Sequence, residues 1–170
     1  MKIYTKTGDQ GQTQVYLQDM ERRNKDDVLL DVYGTLDELN AHIGLAHSLY
    51  RDVALDLPSI QQALFTLGFV LSADAELTEQ QVSTLESQID EMTAQLPLQT
   101  TFILPGGHTA AAQLHVARTV ARRAERHLVH LAHDNDVPPA VLQYINRLSD
   151  YLFVAARWVN FQTQTKEVTV

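Results

Sequence analysis

Leu114, Ala117, Ala121, Ala124, Leu128 and Leu131 recur at alternating spacings of three and four residues. A strand cannot gather that pattern on one face, whereas a helix turns it into a continuous apolar stripe. Four further stretches carry helical periodicity. The first is expected to open at Thr35, with Glu38 as its capping-box partner, and to bury Leu36, Leu39, Ile43, Ala46 and Tyr50. The second, over residues 58–73, carries Ile60, Ala63, Leu64, Leu67 and Leu71 after Pro58. The third starts at Thr78 with Gln81 as its box partner, buries Val82, Leu85, Ile89, Met92 and Leu96, and stops at Pro97. The striped segment, residues 109–133, is the fourth. The fifth starts near Pro138-Pro139 and runs through Val141, Ile145, Leu148, Leu152, Ala155 and Val159. Helix packed on helix is then the way to bury these faces, which predicts an all-α antiparallel bundle of five helices. Residues 1–27 read as a polar, irregular but ordered N-terminal arm, with short extended pieces expected only at residues 2–5 and the extreme C-terminus.

Composition narrows the class. A chain of 170 residues, 45% hydrophobic and 20% charged, fits one globular domain over residues 1–170. The net charge of −8 argues against a general nucleic-acid binder, though a local basic pocket remains compatible with it. The absence of cysteine removes disulfides, thiolate metal sites and cysteine nucleophiles. No apolar run reaches membrane-spanning length, and no leader is evident, so a cytoplasmic protein without membrane partners is expected.

The fourth segment also carries charge: Arg118-Thr119-Val120-Ala121-Arg122-Arg123-Ala124-Glu125-Arg126. Arg118, Arg122 and Glu125 share a face beside the apolar stripe, an arrangement suited to an anion such as polyphosphate. The competing reading is a solvated face on which Glu125 pairs with a neighbouring arginine. Tyr4-Thr5-Lys6-Thr7-Gly8-Asp9-Gln10-Gly11-Gln12-Thr13 has the composition of a phosphate cradle. It lacks the Gly-Lys-Ser/Thr of a P-loop, because Gln12 follows Gly11, and a plain turn is the alternative. Glu125, His127, His130 and His133 crowd together, but the second Glu-x-x-His set of a ferritin-like centre is missing. No protein-held metal is expected there.

Taken in order, five blocks resemble the PduO-type ATP:cob(I)alamin adenosyltransferases. They are the arm above, Tyr33-Gly34-Thr35-Leu36-Asp37-Glu38-Leu39-Asn40, Phe102-Ile103-Leu104-Pro105-Gly106-Gly107, the arginine block, and Ile145-Asn146-Arg147-Leu148-Ser149-Asp150-Tyr151-Leu152-Phe153. The resemblance implies a homotrimer with active sites between subunits. It also implies transfer of the 5′-deoxyadenosyl group of ATP to cobalt, with release of triphosphate. By position, Thr5, Lys6, Thr7, Gly8, Thr13, Gln14 and Lys25 match the family's ATP-phosphate contacts. Arg122, Arg123, Glu125, Arg126 and Asn146 fall on the nucleotide side, although the azimuth of Arg123 points away from Arg122. Asp37 and Arg118 match an inter-subunit ion pair beside the corrin. Phe102 matches the aromatic that displaces the lower axial ligand of cobalamin. Of Asn146, Asp150, Phe153 and Arg157, which share a helix face, only Asn146 carries a family role; the other three are assigned to a subunit interface.

The resemblance further implies Mg2+ on the phosphates, a reductase as electron source and an adenosylcobalamin-dependent enzyme as recipient. Two departures stand out: the chain stops about ten residues after its last helix, where several members carry a longer tail, and residues 15–20 lack a glycine often found there.

Overall fold

The computed structural model describes residues 2–17, 19–72 and 75–170. Five helices carry the fold: α1 (Val28–Leu49), α2 (Leu57–Val70), α3 (Glu79–Thr93), α4 (Thr109–Leu131) and α5 (Pro139–Gln162). The expected all-α bundle with an ordered arm is what forms. α4 sits between α1 and α5 and packs extensively on both. Every residue of its stripe, from Leu114 to Leu131, is buried. With α5 contributing Ile145, Leu148, Leu152, Ala155 and Val159, they form one hydrophobic core.

Side-chain ties fix the antiparallel pairing. On α1 and α2, Asn40 Nδ2 donates to Gln61 O at 3.3 Å, and Gln61 Nε2 returns a bond to Asn40 Oδ1 at 2.8 Å. Gly44 permits this approach, since a β-carbon there would lie 2.9 Å from Gln61 Nε2. On α1 and α4, Arg123 pairs with Glu38, while Gln113 Nε2 donates to His42 O at 3.2 Å. On α4 and α5, Asn146 Nδ2 donates to Glu125 Oε1 at 2.8 Å near one end, and Asn160 Oδ1 accepts from His108 N at 2.9 Å at the other.

The helix boundaries are informative. α3 starts as expected, with Thr78 as N-cap and the box with Gln81 formed. α1 begins about two turns earlier than the Thr35 signature suggested. Asp27 Oδ1 accepts from Leu29 N at 2.9 Å and is the true cap, while Thr35 lies inside the helix and donates to Asp31 O at 2.7 Å. Burial of Leu29 and Val32 extends the helix past an internal threonine that only resembles a cap. α2 ends at Val70, short of the expected boundary; Ala73 lies outside the described residues.

The arm corrects a second expectation. It holds an antiparallel hairpin, β1 (Gln12–Leu17) and β2 (Asp19–Asn24), in register from Gln12↔Asn24 to Leu17↔Asp19. Neither strand has a strong alternating apolar pattern, so pairing supplies what propensity does not. The extended C-terminus is present, as a bridge between Ile103 and Thr169.

His115 is buried on α4 against the Phe153 ring, whose centroid lies 5.9 Å away. Burial first, and then the charge of Arg118, hold its pKa down at about 4. Folded His115 is therefore neutral, while the unfolded chain takes up a proton near 6.5. Stability should fall as pH drops through the window from 6.5 towards 4, by an amount on the order of 3 kcal/mol at full effect. Urea titrations at pH 7 and 4.5 test this: His115→Gln should flatten the difference, and an unchanged slope would remove His115 as its source.

Candidate functional site

α4 presents its arginines in two directions. Arg123 turns to α1 and is occupied by Glu38, so within the chain it braces two helices and does not line the face with Arg122. Arg118, Arg122 and Arg126 have no carboxylate within ion-pair distance among the described residues. Glu125, which could have neutralised Arg122, is engaged instead through Oε1 by Asn146. Arg147 supports that pair, donating to Asn146 Oδ1 at 3.2 Å while its Nε reaches Glu86 at 2.7 Å. Arg126 donates to Arg122 O at 3.0 Å, which leaves both guanidinium groups on one exposed rim. Arg118 is half-buried, and its Nε has no hydrogen-bond partner among the described residues. Burial, then the charge of Arg122, lower its pKa. Three cations without internal counter-charge, on a chain of net charge −8, form a surface receptive to an anion.

The arm forms a second cationic group. Gly8 lies against Lys25, whose Nζ would stand 3.3 Å from a β-carbon at that position. Lys25 N donates to Gly11 O at 2.9 Å, and Arg22 reaches Thr7 O at 2.9 Å, folding the glycine-threonine run over the hairpin. Thr5 and Thr7 hydroxyls are 2.8 Å apart. Lys6 adopts φ 61°, the left-handed region that a non-glycine residue enters at a cost of about 1–2 kcal/mol. Thr13 is half-buried and Gln14 exposed on β1. Among the described residues no hydrogen bond or ion pair joins this arm to α4, so a single chain leaves the two cationic groups unconnected.

Asp37 is exposed on α1 and forms no ion pair with Arg118 in the chain. It lines an open, largely apolar cleft of about 250 Å3 between α1 and α2, with Tyr33, Leu36, Phe65 and Phe69. Phe65 and Phe69 are 63% and 57% exposed. Sequence reasoning missed them, although their i, i+4 spacing off the Ile60–Leu64–Leu67 stripe was a visible signal. Phe102 is 84% exposed, at the rim of the 100–107 loop. That loop is clamped by Asn160, which accepts from His108 N and donates Nδ2 to Gly106 O at 3.2 Å.

Arg157 corrects an expectation. It is buried within its own chain, donating to Pro97 O at 3.0 Å and to Glu167 at 3.3 Å, and so is not a free interface group. His130 and His133 meet edge to face, with ring centroids 6.0 Å apart.

Fold and site define a helical-bundle protein with an anion-receptive face on α4 and an apolar cleft between α1 and α2. A family profile described as cobalamin adenosyltransferase matches residues 3–159. The corrinoid adenosyltransferase of Bacillus subtilis is 45% identical over 179 residues, covering 99% of this chain and 91% of that protein. The human corrinoid adenosyltransferase is 38% identical over 181 residues, covering 98% of this chain and 72% of that protein. A solved phenylalanine-to-histidine variant of the PduO-type ATP:corrinoid adenosyltransferase from Lactobacillus reuteri, complexed with cobalamin and ATP, superposes with a TM-score of 0.91. It is 39% identical, over 99% of this chain and 96% of that one. This chain belongs to the cobalamin adenosyltransferase family.

Proposed function

We propose that the protein transfers the 5′-deoxyadenosyl group of ATP to the cobalt of reduced cobalamin, at sites built between neighbouring copies in a homotrimer. The observation that carries this reading is the uncompensated group Arg118, Arg122 and Arg126, held beside a Glu125–Asn146 pair. In the reaction the cob(I) electron pair attacks C5′ of ATP, a Co–C bond forms, and the C5′–O bond breaks. Its electrons leave with the triphosphate, whose negative charge increases. Arg122 and Lys6, with the backbone N–H groups of the 5–14 arm, would stabilise that developing charge more than they stabilise bound ATP. Thr5, Thr7, Gly8, Thr13, Gln14 and Lys25 hold the phosphates in this reading, and Glu125, Arg126 and Asn146 hold the nucleoside side.

Assembly between copies accounts for three features of the single chain. Among the described residues no hydrogen bond or ion pair joins the arm to the arginine face. Asp37 and Arg118 are unpaired with each other. The α1–α2 cleft, at about 250 Å3 and open, is small against ligand sites of roughly 300–1,000 Å3, so a corrin would need a second wall. A neighbouring copy supplies all three. Mg2+ would arrive with the phosphates. No group of three or more His, Asp or Glu side chains converges among the described residues, so phosphate oxygens and water would be its ligands. A reducing cytoplasm, a reductase as electron donor and hand-off of the product to a dependent enzyme complete the reading. No described helix is long and apolar enough to cross a membrane.

The test is anaerobic. Cob(II)alamin with the protein and ATP should show the base-off, four-coordinate spectrum, and strong reductant should then yield adenosylcobalamin. Absence of product from folded, trimeric protein refutes the proposal. Phe102→Ala should reduce the four-coordinate fraction by about tenfold with ATP affinity within about twofold, because a ring 84% exposed supports no core. An unaltered spectrum would remove Phe102 from the mechanism.

A further inference from the structure

The Phe102 ring is almost fully exposed, so side-chain packing does little to direct it. Its backbone is fixed instead. Val170 N donates to Phe102 O at 3.0 Å, and Leu104 N donates to Val168 O at 2.8 Å, bracketing the Ile103–Thr169 bridge. The 166–170 segment is therefore an antiparallel partner to the very residues that carry the ring.

That partner strand is itself anchored. After α5 the chain reverses through Gln164, at φ 53°, and Thr165 N bonds Asn160 O at 2.8 Å. Asn160 is the residue that clamps the 106–108 end of the loop. The buried guanidinium of Arg157 then joins the strand to the segment leading into the loop, donating Nε to Glu167 and Nη2 to Pro97 O. One arginine thus ties α5, the segment leading into the loop and the C-terminal strand. The second oxygen of Glu167, Oε1, is buried without a hydrogen-bond partner among the described residues. A half-satisfied buried carboxylate is costly, and Arg157 is the group that holds it.

We propose that Arg157 and Glu167 are positioning residues for Phe102, acting through the 166–170 strand to set where that ring stands against the lower face of the cobalamin. This rests on the reading of Phe102 given above. Short-range displacement of a group that must meet the cobalt face would cost far more than the lost contact itself, up to about a hundredfold for a misplacement near 1 Å.

The experiment compares four variants by the four-coordinate cob(II)alamin spectrum at saturating ATP, with ATP affinity and melting temperature measured in parallel. Val170→Pro removes the N–H that reaches Phe102 O, at an exposed position outside the core. It should lower the four-coordinate fraction by about fivefold, the equivalent of one lost backbone hydrogen bond, with ATP affinity held within about twofold. Glu167→Ala should act in the same direction, and Glu167→Gln, whose amide oxygen can still accept from Arg157 Nε, should recover most of the signal. Phe102→Ala is the reference. If it abolishes the signature while Val170→Pro and Glu167→Ala leave it intact, the positioning role is overturned and the reading of Phe102 survives. If Phe102→Ala changes nothing, both fall. A loss confined to ATP affinity in the strand variants also overturns the proposal.

Discussion

Arg122→Ala should lower the rate of adenosylcobalamin formation by about 10²–10³-fold, with a much smaller change in the melting temperature. The rate effect is that expected when one fixed donor to a developing anionic charge is removed from a site. Arg122 is exposed and has no carboxylate partner among the described residues, so its charge is not consumed by the fold. Its nearest acidic neighbour on that face is held by Asn146 at 2.8 Å. Removing the side chain also relieves repulsion on Arg118, whose pKa is lowered partly by it, so stability should change by less than about 1 kcal/mol. Arg122→Lys should recover only part of the rate, because an ammonium cannot reproduce the two-pronged geometry of a guanidinium. Single-turnover formation from preformed cob(I)alamin, with thermal melting alongside, separates chemistry from folding. A rate within about threefold of the parent would remove Arg122 as the leaving-group clamp.

Gly107→Ala should damage the fold itself. Gly107 has φ 95°, and a β-carbon there would stand 2.2 Å from Asn160 Oδ1 and 2.7 Å from Asn160 Nδ2. The amide cannot withdraw without cost, because it is 2% exposed and holds both His108 N and Gly106 O. Strain of about 1–2 kcal/mol at positive φ, plus about 1 kcal/mol for each lost hydrogen bond, gives a destabilisation of about 3–4 kcal/mol. For a chain of this size that is a fall of about 6–16 °C in the melting temperature. The same change should shift Phe102, so the four-coordinate signal should fall as well. Differential scanning calorimetry checks the first effect, and a drop below about 2 °C would show that Asn160 has room to move.

Much of the bundle could be read directly. The α4 stripe, the capping box at Thr78 and the proline-opened α5 are local patterns that burial reinforces, and they appear where expected. Where local signals misled, tertiary packing explains why. Thr35 with Glu38 has the spacing of a helix start, yet Leu29 and Val32 are buried ahead of it and Asp27, about two turns earlier, is the cap. The hairpin of Gln12–Leu17 and Asp19–Asn24 pairs an uncharged strand with a highly charged one, and neither alternates strongly enough to be extended without the other. The same holds for the site. The pattern of Arg118, Arg122 and Glu125 on one face was visible from helical geometry. That Arg123 is taken by Glu38, 85 positions earlier on α1, could not be, since the partner lies on another helix.

By itself, the order of residues determined five amphipathic helices, their approximate limits and the face on which the arginines gather. Periodicity and capping act over a few residues, so one strand of sequence contains them. The tertiary structure alone decided which cations keep their charge available and which are neutralised at home. It also decided that Asn160, Arg157 and Glu167 hold the loop carrying Phe102. Those outcomes depend on groups brought within about 3 Å of one another by packing, and no local rule specifies such neighbours.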